Sequence, residues 1–544
     1  MKRRNFIKTA ALSGSGLTLG LLSCKNEQKP PMPEMHFDLL EWTCADLQNA
    51  MQSKDLSSRE ITELYLSRIE QLDQNGPALN SVIEINPEAM DIAAQMDKER
   101  RKEKIRGPLH GIPVVLKDNI DTADQMMTTA GSLALEGWIA KQDAFIVQKL
   151  RQAGAVILAK ANLSEWANFR SLHSTSGWSG RGGQTRNPYV LDRNPCGSSS
   201  GSAVAVSANL CALAVGTETN GSIVCPSNAN GIVGIKPTVG LLGRSGIIPI
   251  SESQDTAGPM ARSVADAALM LTAMAGTDPG DAMTQTPTAV NVPDYTQYLD
   301  KEAMRGKRLG VARNFFGFLP QVDEVMENAI EVMRGLGAEI VDPADIETSG
   351  TYSQEAFDLL LYEFKNGINA YLKNTGPELP KTLQDLIAFN REHADVEMPW
   401  FGQEIFETAQ EKGDLSSPEY HHALATVSQK ARAQGINATL SKHNVDALVA
   451  PTGSPAWPTD WINGDHFLGG SSSPAARAGY PNISVPAGFV HGLPVGISFF
   501  SGAWQEPLLI SLAYAYEQAS SHRRAPEFLQ SIGPFIAENP RRRW

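Results

Sequence analysis

Histidine, cysteine and positive charge are all scarce in this chain, and each shortage removes a class of function. The 544 residues hold 10 histidines, 5 cysteines, and 47 lysines and arginines against 60 acids, for a net charge of −13. An acidic chain with no basic stripe interleaved with aromatics is poorly suited to releasing counterions from phosphate backbones, so no nucleic-acid partner is expected. The run Asp97 to Lys104 mixes both signs and reads as a solvated helix face. No H-E-x-x-H or comparable ligand cluster occurs, and His421-His422 is a bare pair in a helical stretch, so neither metal nor cofactor is expected. Only His173 lies in the part rich in glycine and serine, which leaves an imidazole-based triad without an evident base. Beyond Cys24, the cysteines Cys44, Cys196, Cys211 and Cys225 form neither a disulfide framework nor a zinc pattern, and mostly buried free thiols are expected. Repeats and heptads are absent.

No apolar run reaches the roughly 20 residues that span a bilayer as a helix. The longest N-terminal one, Ala10 to Leu22, has 13 residues and follows Lys2, Arg3, Arg4 and Lys8. That length and flank suit a signal-peptide core. Residues 1–23 carry no acids, so without them the charge would be −17. The paired arginines followed by Phe6-Ile7-Lys8 resemble a twin-arginine export signal, and Leu21-Leu22-Ser23-Cys24 resembles a lipobox. The expectation is a leader over 1–23, lipidation at Cys24, a polar proline-rich tether over 24–37, and residence in the periplasm or cell envelope. Oligomeric state is not legible.

The rest, 38–544, reads as one large α/β domain. Ser57 to Glu60 is a capping-box start for a helix whose apolar residues run from Ile61 to Leu72. Short apolar runs, Ile112 to Leu116, Ala155 to Ala159 and Leu210 to Gly216, alternate with helical stretches such as Ala144 to Ala153. That alternation predicts a mixed, mostly parallel twisted sheet covered by helices on both faces. A mostly helical insertion is expected at about 280–440, within which Lys307 to Ala312 and Glu339 to Val341 read as strands flanking a helix at Gln321 to Gly335, and 353–440 as the helical, polar-rich part. Strands return at Ala447 to Ala450, Ile483 to Val485 and Val495 to Phe499.

Chemistry concentrates in two stretches. Gly111 to Asp118 places Lys117 at the end of an apolar strand, where desolvation disfavours the ammonium and favours a neutral amine able to act as a base. Pro195 to Ser227 holds two small-residue loops, Gly197 to Gly201 and Gly216 to Ser222. Gly197-x-Ser199-x-Gly201 also fits the G-x-S-x-G nucleophile elbow, but Pro188 and Pro195 break the strand that such an elbow must follow.

GIPVVLKDN, CGSSSGSA and GTETNGSIVCPS together resemble the amidase signature family, and GLPVGISFF (Gly492 to Phe500) extends the likeness toward the C-terminus. SGWSGRGGQTRNPY, GIKPTVGLLGRSGIIPIS and QDTAGPMARSV are similar to stretches of bacterial peptide amidases in particular. The resemblance implies a Ser–cis-Ser–Lys set that hydrolyses carboxamides: Lys117 as base, Ser198 on a cis peptide bond, and Ser222 as the nucleophile that carries the acyl group. It also implies an oxyanion hole from the backbone N–H groups of Thr219, Asn220, Gly221 and Ser222, with Ser199 supporting the loop. Asn220 stands where glycine or aspartate is common in the family. Peptide C-terminal amides are the implied substrate. Two other readings share these motifs: a protein like the glutamine-hydrolysing component of glutamyl-tRNA amidotransferase, and a non-catalytic amide-binding lipoprotein. The export signal and acidic charge oppose the first, and the intact Lys117, Ser198 and Ser222 oppose the second.

Overall fold

The computed structural model describes residues 37–286 and 294–533. The expected leader, Cys24 and the tether up to His36 lie outside the described residues.

Eleven strands form one sheet. In chain order they are β1 (Val82–Ile85), β2 (Pro113–Lys117), β3 (Val156–Ala161), β4 (Leu213–Glu218), β5 (Val233–Lys236) and β6 (Thr256–Ala261). They continue with β7 (Arg308–Val311), β8 (Glu339–Val341), β9 (Ala447–Pro451), β10 (Asn482–Val490) and β11 (Leu493–Phe500). The spatial order is β1-β3-β2-β4-β6-β5-β10-β11-β9-β7-β8. Every residue of β2, β3 and β4 is buried, which is why they read as unbroken apolar runs rather than alternating ones.

The sheet is mixed, with its parallel pairings in two flanks, β3-β2-β4 and β9-β7-β8. Between them, from β4 across to β9, the pairings are antiparallel. The β10–β11 hairpin shows why: His491 and Gly492, at φ 49° and 80°, make a two-residue turn that can only join antiparallel strands. Two helical layers cover the sheet. One contains Ser200–Ser207 and Val224–Ala229, and the other Val264–Met274, Pro320–Gly335 and Glu506–Ser520.

The helix after Ser57 starts as expected, with Ser57 and Glu60 forming a reciprocal capping box. The stretch expected to be a helical insertion divides in two. Residues 308–341 supply β7 and the edge strand β8, joined by the helix Pro320–Gly335 as expected, and buried Leu309 and Val311 continue the main core. The helical part proper runs from Ser353 to His443. It packs Phe364, Ile368, Leu386 and Phe406 on Trp166 and Phe169, over the loops that follow β2 and β3.

One buried cation fastens that helical part down. Arg170 Nη1 donates to Glu165 Oε1 at 2.6 Å and lies 3.6 Å from Glu397 Oε2, with all three side chains buried. Its guanidinium carbon lies 4.5 Å from the Phe401 ring centroid. Glu397 Oε1 in turn accepts from the Leu133 amide at 2.6 Å. Burial pushes the Glu165 carboxyl well above its usual range, Arg170 opposes that rise, and Glu397 adds to it. Replacing Arg170 by Met leaves two carboxylates buried without a countercharge, an expected loss of about 3–5 kcal/mol at neutral pH. A raised carboxyl pKa penalises folding above the unfolded value of 4.5, so the loss shrinks as pH falls. Urea unfolding followed by tryptophan fluorescence at pH 7 and pH 5 reads both effects; a loss that stays the same at both would contradict the charge argument.

Candidate active site

Register brings the expected residues together. β2 and β4 run parallel with Leu116 opposite Val215, so both strands end at the same edge and Lys117 arrives beside Thr217. Lys117 is fully buried. Its Nζ lies 2.7 Å from Ser198 Oγ, 2.9 Å from Thr217 Oγ1 and 3.2 Å from the Thr217 carbonyl oxygen. Burial pulls its pKa down to about 7, and the nearby charges of Asp255 and Glu218 pull the other way. Neither acid can pair with it directly. Asp255 accepts from Thr219 Oγ1 and from the Ile250 and Ser251 amides. Both Glu218 oxygens are taken by backbone amides, Oε1 by Gly221 in the second serine loop and Oε2 by Ile223 and Val224 just after it.

The first serine loop enters the helix Ser200–Ser207, and its Gly197–Ser198 peptide bond is cis. Gly197 admits no side chain, since a Cβ there would run into Ser164 Oγ. Ser199 ties this loop to the end of β4: its Oγ donates to the Thr217 carbonyl at 3.0 Å and accepts from the Thr217 amide at 3.2 Å. Its own amide donates to the Ser222 carbonyl at 3.2 Å, joining the two serine loops through backbone.

The second loop turns at Gly221, whose φ of +85° suits glycine, before the helix Val224–Ala229. Ser198 and Ser199 are fully buried, while Ser222 reaches the surface in part. Of the four amides expected as oxyanion donors, Gly221 N–H is already committed to Glu218 Oε1 at 2.8 Å. Those of Thr219, Asn220 and Ser222 meet no protein acceptor among the described residues. Asn220 fixes the loop from outside: its Oδ1 accepts from Ser472 Oγ at 2.8 Å and its Nδ2 donates to Ser473 Oγ at 3.1 Å. A cavity of about 580 Å³ opens on Thr217, Glu218 and Thr219, with Asn119, Asp255 and Glu363 in its wall.

Three contributors were not singled out from sequence. Thr217 and Glu218 sit inside GTETNGS, but only the β2–β4 register shows that one meets Lys117. Asn119, two residues past Lys117, donates from Nδ2 to Thr217 Oγ1 at 3.0 Å. Among the described residues, no group of three or more His, Cys, Asp or Glu is arranged to hold a metal ion.

The cysteine expectation needs correcting. Cys196 and Cys225 are not free thiols but a disulfide, with Cα atoms 6.1 Å apart. It joins the residue before Gly197 to the helix after Ser222, so it staples one serine loop to the other. Cys44 and Cys211 are free and buried, as expected. Closing a loop of 29 residues should contribute ~3–4 kcal/mol by restricting the unfolded chain. The double variant Cys196→Ser, Cys225→Ser should show that loss in urea unfolding, as should the native protein after thiol reduction. An unchanged midpoint under reduction would show that the staple is not formed.

Known proteins are similar to this chain over most of its length. The amidase family profile matches residues 60–510. The crystal structure of native peptide amidase from Stenotrophomonas maltophilia is 51% identical, with a TM-score of 0.86, covering 91% of this chain and all of that one. A structure of the peptide amidase PAM with the competitive inhibitor chymostatin is 52% identical, with a TM-score of 0.88, over 90% of this chain and all of that one. A probable amidase of Arabidopsis thaliana is 42% identical over 91% of this chain and 93% of its own length. The corresponding component of glutamyl-tRNA(Gln) amidotransferase from Halorhodospira halophila is 36% identical over 89% of this chain and 99% of its own. Likeness of this extent, on a fold with the same α/β layers, places the chain in the amidase signature family, as an amidase hydrolase.

Proposed function

We propose that the chain hydrolyses carboxamide C–N bonds through an acyl-enzyme on Ser222, and that its substrates are peptides ending in a C-terminal amide. The observation that carries the reaction is the 2.7 Å approach of a fully buried lysine amine to Ser198.

A neutral amine has two N–H bonds and one lone pair. The Thr217 carbonyl can only accept, so it takes one N–H of Lys117. Thr217 Oγ1 takes the other, beside the bond it accepts from Asn119. The lone pair is left facing the Ser198 hydroxyl. Ser198 then gives its proton to Lys117 and takes one from Ser222, whose oxygen attacks the amide carbon. Ser198 Oγ is hydrogen-bonded to Lys117 and not to the Ser222 side chain; a contact of the latter kind often closes only with substrate bound. The tetrahedral oxygen accepts from the amides of Thr219, Asn220 and Ser222, with Glu218 holding Gly221 so that the turn keeps its shape. Collapse breaks the C–N bond as the proton returns through Ser198 to the leaving nitrogen. Water then releases the acid from Ser222 by the same path.

Support for the peptide substrate comes from the two peptide amidase structures at 51% and 52% identity, one of them holding chymostatin. The amidotransferase component stands further off at 36%, and a net charge of −13 disfavours an approach to tRNA. Export and lipid attachment at Cys24 belong to the same proposal. A disulfide between Cys196 and Cys225 suits an oxidising compartment.

Three outcomes are expected. Because Lys117 acts as the neutral amine, kcat/KM should fall tenfold per pH unit below about 7, its own pKa, and level off above it. A rate flat from pH 5 to 8 would remove Lys117 as the base. Ser222→Ala should cost at least ~10⁴ in ammonia release from amidated peptides with folding intact, and a fluorophosphonate should label Ser222, not Ser199. Cys24→Ser should move the protein from the detergent-extracted membrane fraction to the soluble one; no change in partition would end the anchor.

A further inference from the structure

The surface carries one dense group of exposed apolar side chains. Ile462 is 78% and Leu172 67% exposed, and Trp400, Trp461, Phe467 and Leu468 each keep more than a third of their surface in water. Trp400 and Trp461 stack on each other, centroids 5.0 Å apart and 23° between planes, at the protein surface. Scattered exposed apolar residues are ordinary, but six large ones gathered around one loop mark a contact surface.

Most of that surface belongs to residues 457–470, a loop anchored on both serine loops. At its near end, Thr175 Oγ1 donates to the Asp460 carbonyl at 2.7 Å, and Asp465 accepts from Ser176 Oγ. Ser176 in turn packs on Gly197, its Cβ within van der Waals reach of where a Gly197 side chain would begin. Trp461 Nε1 donates to Gln184 Oε1, whose Nε2 reaches the Ser176 carbonyl. At the far end the chain passes Gly470 into Ser472 and Ser473, the two residues that hold Asn220. The loop therefore runs from Ser176, which packs on Gly197, toward Ser472 and Ser473, which hold Asn220, presenting aromatics along the way.

Its charge is one-sided. Between Ser454 and Ala476 there are two acids, Asp460 and Asp465, and no lysine or arginine. Asp460 is partly exposed, and hydrogen bonds from the Asn463 side chain and the Ile462 and Asn463 amides hold its carboxyl below the usual range. A peptide amidated at its C-terminus has lost its carboxylate and kept its N-terminal ammonium, so its backbone charge is positive. Asp465 is turned inward, its carboxylate accepting from Ser176, Asn194 and Trp457, so Asp460 is the strip's solvent-facing acid; an aromatic strip carrying it suits that peptide better than it suits an anionic lipid surface, the other occupant that exposed tryptophans could seek.

We propose that the 457–470 loop, with Trp400 and Leu172, is the docking shelf for the upstream residues of the amidated peptide. Apolar side chains near the scissile amide meet Phe467 and Leu468, more distant ones meet the Trp400–Trp461 pair, and the N-terminal ammonium lies toward Asp460. This rests on the peptide-amide reading above and adds where the peptide chain runs.

The test compares a dipeptide amide with an apolar pentapeptide amide, which extends up to ~17 Å. Trp461→Ala should raise KM for the pentapeptide about tenfold, and Ile462→Ser about threefold, with kcat unchanged and the dipeptide's constants moving less than about twofold. Ile462 is so exposed that its variant carries no folding risk. Equal losses on both lengths would reduce the shelf to a structural element and overturn the proposal. Unchanged length dependence with reduced sedimentation on anionic vesicles would assign the surface to lipid instead. If the native enzyme cleaves simple amides and neither peptide, the substrate reading falls and the shelf with it; if it cleaves both peptides and the variants change nothing, the shelf alone falls.

Discussion

An amine enclosed at the end of a buried strand, with no carboxylate in contact, is the constraint on which this site is built. Enclosure strips the ammonium of most of its solvation, so the neutral form becomes accessible near neutral pH. Two other lysines in the core are equally buried but differently partnered. Lys160 is enclosed by the Ile120 and Met127 carbonyls and Thr128 Oγ1, and Lys236 by the Pro237 and Tyr480 carbonyls. Their donors are spent on carbonyl-rich cradles, with no hydrogen bond to a serine. Lys117 differs in having a serine hydroxyl at 2.7 Å and acids nearby whose oxygens are occupied elsewhere.

The remaining structure keeps two short loops fixed around that amine. Small residues let them approach; backbone and side-chain bonds then hold them. Ser199 joins the first loop to β4 and to Ser222, Glu218 gathers three amides in and just after the second, and the Cys196–Cys225 disulfide closes the pair. From outside, Asn220 is gripped by Ser472 and Ser473. A polar loop is placed in this way with three of its four amides left without a protein acceptor among the described residues, Gly221 being the engaged one.

The same contacts tie chemistry to the surface. The 457–470 loop shares Ser176 with the first serine loop and leads into the residues that hold the second, so a ligand lying on it bears on both. The helical part between Ser353 and His443 supplies Trp400 and Phe401 beside it, and the Arg170–Glu397 contact fixes that part to the core.

Local pattern was enough for much of this. Buried parallel strands show as apolar runs because both faces are covered, and a lysine closing such a run signals an unusual amine before any coordinates exist. Ser57 and Glu60 mark a helix start because a capping box is made within four residues. The glycine and serine loops, and with them Ser198, Ser199 and Ser222, were legible as motifs. Everything that depends on distant segments meeting was left to the tertiary structure. Thr217 and Asn119 act on Lys117 only because β2 and β4 lie side by side in one register. Glu218 takes Gly221 N–H only because the turn folds back on the strand end. The strands β7 and β8 and the helix between them were legible as short apolar runs, but that they join the main sheet was not, because a strand partner far along the chain, β9, decides membership. The pairing of Cys196 with Cys225 was hidden for the same reason: spacing along the chain says nothing about Cα atoms 6.1 Å apart in space.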